Sequence, residues 1–339
     1  MARHSIVTGD PLVAPRRLAY AALVLAFAQI VFGAIVRITG SGMGCGDHWP
    51  KCLGAWFPPH DRTDLVIEIT HRYIALALSF VVVALALIVL KRRKEPVIGG
   101  PGGMVFPSLL ASVLVVTAAL LGAVTVKLGL NPFVIAAHLT IAMGLLATLA
   151  VVLFRANAEP AEGYATPSTQ RRRGAETHRE ADGRAANRKT YRAARVAVAL
   201  AIVTLVMGAL TANLPGAASS CGGFPWCRTV NSGGTGLTVQ IVHRVIAFLL
   251  FAHLGGIAYA VRKRGEARNV VRAANFAFFT ALAQLLTAAA MVEMQFPPIL
   301  RSLHQATGTL LWLAVVILAL VSAREWQTDI VTREERAAA

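Results

Sequence analysis

Eight stretches, each about the twenty apolar residues that a helix needs to cross a bilayer, constrain this chain more than anything else in it. They run near 18–36, 69–90, 106–127, 133–154, 194–213, 237–261, 271–293 and 299–322. Inside lipid every backbone polar group has to be satisfied locally, so stretches of this length and composition fold as helices. The chain is 56% hydrophobic and only 15% charged, which excludes a soluble domain. The expected fold is an all-α integral membrane protein with eight transmembrane helices. Met1 to Pro15 is polar, Arg16 and Arg17 precede the first run, and no small-residue cleavage pattern follows it. The first run is therefore expected to stay as a helix rather than to be a cleaved signal.

A net charge of +16 could suggest nucleic acid, but its distribution argues against such a partner. With both termini placed inside, 25 of the 33 Lys and Arg fall in inner segments: before the first span, at Lys91 to Lys94, from Arg155 to Arg195, from Arg262 to Arg272 and in the tail. That asymmetry orients a plasma-membrane protein with cytoplasmic termini. The segment from 155 to 195 also carries five acids and much Ala, Gly and Thr, and is expected to be a disordered linker facing anionic lipid.

The stretch Glu68-Ile69-Thr70-His71-Arg72 opens the second span, and Gln240-Ile241-Val242-His243-Arg244 opens the sixth. Around them the halves align with offsets of 175 (Gly33 to Gly208), 176 and 175 (the cysteines), 172 (His71 to His243) and 166 (His138 to His304). The chain thus reads as two tandem four-helix bundles related by a pseudo-twofold axis along the membrane normal. Its expected segments are an N-terminal piece 1–17, a first repeat 18–154, a basic linker 155–193, a second repeat 194–322 and a tail 323–339.

His71, His138, His243 and His304 each fall about six residues inside the outer end of an even-numbered span, roughly 9 Å below that surface at 1.5 Å per residue. Equal depth is what ligands to a shared object require. Imidazoles on facing helices of a bundle can hold one metal centre from both sides, and haem, flat and apolar, fits between Ala- and Gly-rich helices. The plain alternative is a histidine bonded to a neighbouring helix; His253, His4, His60 and His178, which have no counterparts, are read that way. Arg72 and Arg244 follow two of the four histidines and Arg301 precedes a third by three residues, so all are candidates for haem propionates, with interfacial snorkelling as the alternative.

The four cysteines fall as two pairs in outer loops, where disulfides are the default. Zinc is the rival in the first loop, where Asp47 and His48 lie between Cys45 and Cys52. The aromatic residues Trp56 and Phe57, followed by Pro58 and Pro59, suit contact with lipid headgroups. Glu68 lies three residues before His71 and so on its face, whereas Gln240 fills that place in the second half. A carboxylate can exchange protons and an amide cannot, so one half looks equipped for chemistry and the other for holding a redox centre. Otherwise Glu68 is a solvated carboxylate or the ion-pair partner of Arg37 or Arg72.

Arg37-Ile38-Thr39-Gly40-Ser41-Gly42-Met43-Gly44-Cys45, Asp47-His48-Trp49-Pro50-Lys51-Cys52, Glu68-Ile69-Thr70-His71-Arg72 and the later histidines resemble the haem A synthase family, over essentially the whole chain. The resemblance implies stepwise oxidation of a ring methyl of haem O to a formyl group, supplying haem A to a terminal oxidase, with a separate haem b as cofactor. It implies that His243 and His304 ligate the haem b, that His71 and His138 face the haem O iron with Arg72 beside them, that Glu68 is the catalytic carboxylate, and that Cys45–Cys52 and Cys221–Cys227 are disulfides. Arg244 and Arg301 would take propionates, with the sites near the outer face. Membrane lipid, haem O synthase and the terminal oxidase assembly pathway are the implied partners, and a homo-oligomer is left open. A diheme electron-transfer cytochrome is the main competing reading. A transporter, which favours broken helices at the midplane, fits less well.

Overall fold

The computed structural model describes residues 10–58, 61–157 and 176–338, with the backbone alone at 176–186 and 328–338. His4, Pro59, His60 and residues 158–175 of the expected linker lie outside the described residues, and His178 is described by its backbone only. Eight long helices are present: α1 Val13–Ile38, α2 Thr63–Lys91, α3 Val105–Lys127, α4 Pro132–Ala156, α5 Glu176–Asn213, α6 Gly234–Lys263, α7 Arg268–Glu293 and α8 Pro298–Ala338. All eight contain a segment long and apolar enough to cross a membrane, which for α5 is Asn187–Asn213 and for α8 is Pro298–Gln327. The chain is an all-α, multi-pass membrane protein.

Local chemistry explains the helix ends. Asn131 caps α4 by accepting the Phe133 N–H at 3.0 Å, and Pro132 takes the first helical position, where its missing N–H costs nothing. Within the spans, hydroxyls are satisfied along their own helix: Thr125 donates to the Leu121 carbonyl and Thr140 to the Ala136 carbonyl, each at 2.8 Å. At the ends remote from the disulfide loops arginines cap carbonyls. Arg16 reaches the Ala156 carbonyl at the end of α4, and Arg92 reaches the Pro11 carbonyl before α1.

Helix α1 packs on α2 and α4, and α3 packs on both α2 and α4; α5 packs on α6 and α8, and α7 packs on both α6 and α8. Between these two groups α4 meets α5, α1 meets α8 and α4 meets α8, where the Trp312 indole donates to the Met143 carbonyl at 2.9 Å. Small residues line the contacts, as in the buried row Ala19, Ala22 and Ala26 on α1 and the row Ala273, Ala274, Ala277 and Ala281 on α7. In lipid there is no hydrophobic drive between helices, so close approach through alanine supplies the packing attraction.

Four features differ from the sequence expectation. The basic linker is helical from Glu176 onward, and α8 continues as a helix through most of the tail. Both stretches are rich in Ala, Arg and Glu, which are strong helix formers, and each extends an existing helix, so no new nucleus is needed. A short helix, Pro96–Gly99, and a two-residue antiparallel pairing of Cys221–Gly222 with Thr229–Val230 were not expected.

Candidate functional site

Past Ile38 the chain turns through Gly40, in the left-handed region at φ 70°, and its next turn, Ser41–Met43, lies against the start of α2. Cys45 is disulfide-bonded to Cys52, and both are fully buried with Leu65, Ile69 and part of Tyr73 in a small core separate from the main one. The Tyr73 hydroxyl donates to the Trp56 carbonyl. Glu68, 3% exposed, sits under this loop. Its Oε2 accepts the Cys45 N–H at 2.7 Å and its Oε1 meets Arg72 Nη2 at 2.5 Å. Arg72 Nη1 continues to the carbonyls of His48 at 2.8 Å, Lys51 at 2.9 Å and Pro50 at 3.3 Å. Of the partners considered for Glu68, Arg72 holds it and Arg37 does not. With both cysteines of this loop in a disulfide, thiolate ligation of zinc there is excluded.

The second disulfide loop is built on the same plan with one polarity reversed. Cys221 is bonded to Cys227, and Arg244 donates to the carbonyls of Gly223 at 2.8 Å and Cys221 at 3.0 Å. Gln240 donates to the Ala218 carbonyl at 2.8 Å. The first loop thus turns an N–H toward α2 and meets an acceptor, while the second turns a C=O toward α6 and meets a donor. Sequence reasoning aimed Arg72 and Arg244 at a ligand's carboxylates; in the structure both guanidiniums are engaged by loop carbonyls. Glu293 on α7 fastens the second loop further, pairing with Arg228 at 2.5 Å and accepting the Phe224 N–H at 2.9 Å. Phe57 and Trp226, 83% and 79% exposed, stand out from the two loops.

His71 and His138 lie within electrostatic reach of each other, as do His243 and His304. Counted from the first helical residue, His71 and His243 are eight and nine residues in, and His138 and His304 six. These counts match between halves and differ from the six expected for His71 and His243, because α2 and α6 begin earlier, beneath the disulfide loops. Three of the rings rest against glycines of the adjacent helix. A Cβ at Gly33 would lie 3.1 Å from His71 Cε1, one at Gly208 2.8 Å from His243 Cε1, and one at Gly122 3.5 Å from His138 Cε1.

The pairs differ in how their rings are held. His243 Nδ1 donates to the Thr204 carbonyl at 3.0 Å, an arrangement that leaves the Nε2 lone pair for a metal. His304 is held by Gln284 Nε2, 3.2 Å from its Nδ1 and 3.3 Å from its Nε2, and Gln284 is itself bonded to the Thr307 hydroxyl. In the first half Gln29 Nε2 approaches His71 Nε2 at 3.2 Å and donates to the His71 carbonyl at 3.0 Å, and Phe32 stacks on the ring at 6.3 Å. The Nδ1 atoms of His71 and His138 are buried without a hydrogen-bond partner, His138 leaning toward the Ala118 carbonyl without reaching bonding geometry. A buried imidazole nitrogen left unpaired is costly unless a ligand takes up a ring nitrogen and the ring turns to suit it.

Among the described residues no group of three or more His, Cys, Asp or Glu could hold a metal ion. Two histidines, however, are the protein ligands that a six-coordinate haem iron requires, and glycine beside three of the four rings lets those imidazoles lie close against the neighbouring helix. The residues fit haem. His253 takes the plain role expected of it, bonded to the Ala193 carbonyl at 2.9 Å. Arg301 is half-buried and makes no side-chain hydrogen bond or ion pair among the described residues. Arg37 reaches over from α1, donating to the Ala212 carbonyl at 3.3 Å, within electrostatic reach of both Arg301 and His304. Gln29, Thr204, Gln284 and Arg37 were not assigned a site role from sequence. The one available signal was Gln29 and Gln284, amides placed in apolar spans.

Comparison with known proteins agrees with this arrangement. The COX15-CtaA family, described as a cytochrome oxidase assembly protein, matches residues 16–65 and 62–316. A heme A synthase of Staphylococcus haemolyticus is 25% identical over 319 residues, 91% of this chain and 95% of that protein. A heme A synthase of Geobacillus kaustophilus is 35% identical over 114 residues, a match that spans only 34% of either chain. A protoheme IX farnesyltransferase of Thermus thermophilus is 29% identical over 307 residues, which is 85% of this chain but 45% of that relative's length. With the family match running through nearly all of the helical region, the chain belongs to the COX15-CtaA family of cytochrome oxidase assembly proteins.

Proposed function

We propose that this protein is a haem A synthase, a membrane oxidoreductase that converts the ring methyl of haem O stepwise to a formyl group. The observation that carries the reading is two like pairs of buried histidines beneath matching loops, with a carboxylate, Glu68, over only one pair and the amide of Gln240 over the other. His243, His304 and His71 are each met by a polar group of a neighbouring helix. The buried Nδ1 atoms of His71 and His138 have no hydrogen-bond partner, which supports the first pair as the one whose ligand exchanges. The two groups of four helices are proposed as the working units, 18–154 for the substrate and 194–322 for the cofactor; their matching contacts support this. Names of the relatives support a haem substrate, one of them acting as a protoheme IX farnesyltransferase, and prenylated haem is what a haem A synthase would receive.

In this reading His243 and His304 hold the haem b, which when bound supplies one-electron transfer. His71 and His138 position the haem O. Taken with water as the oxygen source, oxidising the methyl to a formyl releases protons and passes electrons to an external acceptor; Glu68, fixed by Arg72 and the Cys45 N–H, is proposed as the carboxylate that takes up the protons. Arg72 and Arg244 are proposed to close their disulfide loops over the sites and Arg301 to meet a propionate. The protein would lie in the plasma membrane with both termini cytoplasmic and its sites toward the outer face, which the inner placement of its basic residues supports.

The engagement of Glu68 by the loop favours one competing reading, a diheme electron-transfer cytochrome in which Glu68 is structural. Haem extraction from cells expressing Glu68→Gln and Arg72→Lys separates the two. A proton-accepting Glu68 gives haem O or a hydroxylated intermediate in Glu68→Gln, while Arg72→Lys, which keeps a cation beside Glu68, still forms haem A. Haem A at the wild-type level in Glu68→Gln makes Glu68 structural, and a wild-type protein that forms no haem A removes the enzyme reading.

A further inference from the structure

The outer arginines are mostly engaged: Arg62 pairs with Asp64, Arg72 with Glu68 and Arg228 with Glu293, and Arg244 is surrounded by carbonyls. Arg37 and Arg301 are the exception. They come from helices α1 and α8, which pack on each other, lie within electrostatic reach of one another, and have no carboxylate partner among the described residues, the one bond of Arg37 going to the Ala212 carbonyl. Two half-buried guanidiniums within reach of each other repel, and an anion bound between them relieves that repulsion directly. The arrangement is one-sided. At the repeat offsets of 175 and 166, the counterparts of Arg37 and Arg301 are Ala212 and Ile135, so the first histidine pair has no equivalent.

Resting on the haem reading above, we propose that Arg37 and Arg301 form a carboxylate receptor for the ligand of His243 and His304, assembled across the junction of the two halves. The first half thereby contributes a binding residue to the second half's site. Haem carries two propionates, and a guanidinium binds a carboxylate by paired charge-assisted bonds. The difference between the sites follows. The second retains its haem through two unneutralised cations, while at the first the one nearby guanidinium, Arg72, is already neutralised by Glu68 and the substrate leaves after reaction.

The test uses the full-length protein, prepared without haem in lipid nanodiscs, titrated with ferric haem B and with its propionate dimethyl ester. Wild type is expected to prefer the free acid. Arg37→Gln and Arg301→Gln are each expected to weaken haem B binding by about tenfold, the loss of one charge-assisted bond, and to leave the diester unchanged, so that the preference disappears. Arg37→Lys, which keeps the charge, is expected to keep part of the preference. Equal weakening of acid and ester would mean a structural role and overturn the proposal. So would unchanged haem B binding in Arg37→Gln, or an anionic lipid retained at the pair with no discrimination between acid and ester. If His304→Ala binds haem B as wild type does, the haem reading itself falls and takes the proposal with it.

Discussion

At the scale of single residues, glycine and histidine act as a unit. A methyl added at Gly208 would sit 2.8 Å from His243 Cε1, so the ring must shift and its bond to the Thr204 carbonyl must break. Gly208→Ala is expected to cost about 1–3 kcal/mol of overpacking and to lower the haem retained on purification several-fold. Gly122→Ala makes ordinary contact at 3.5 Å with His138 and is expected to leave haem content and thermal stability unchanged. Haem quantified per mole of protein for the two variants checks the pair. His243→Ala is expected to remove haem b while leaving the protein inserted, read from reduced-minus-oxidised spectra. The histidines themselves were legible in sequence, because their spacing from Pro132 and Pro298 and their recurrence are one-dimensional facts. Which residue faces each ring was not. Gln29, Thr204 and Gln284 meet their histidines across helices, and that depends on rotations that apolar spans of low amphipathicity do not encode.

At the scale of elements, the outer loops are held by ion pairs of different standing. Arg72 and Glu68 are almost wholly enclosed, with 12% and 4% of their side chains exposed, whereas Arg228 and Glu293 are 62% and 44% exposed. Removing one partner of an enclosed pair strands the other charge, so Arg72→Met is expected to destabilise by about 3 kcal/mol. For the exposed pair, Arg228→Met is expected to cost less than about 1 kcal/mol and to lose its effect in high salt. Melting in detergent at low and high ionic strength compares them. Mass spectrometry under nonreducing conditions is expected to find Cys45 joined to Cys52 and Cys221 to Cys227, with no bridge between loops. The spans were legible to within a few residues, since about twenty apolar residues leave a chain in lipid no other structure. Helix extensions were not, because α2 starts at Thr63 among polar residues and is completed by Leu65 and Ile69 packing on the disulfide.

At the scale of the whole molecule, the distribution of basic residues is expected to set which way the bundle faces. A reporter fused after Ala339 is expected to be active only as a cytoplasmic fusion, and one placed in the loop after Phe57 only as an exported one; the reverse pattern would invert the topology. The contact of Arg37 with the Ala212 carbonyl has one more consequence. Position 212 is position 37 seen again in the other repeat, at the offset of 175. A pair of identical four-helix subunits would have to carry arginine there twice or not at all, and twice would set two like charges against each other across the axis. A single polypeptide escapes that symmetry: it keeps arginine once, on one side, and joining the subunits end to end would permit two sites of one architecture to hold their ligands with unequal grip, as proposed above.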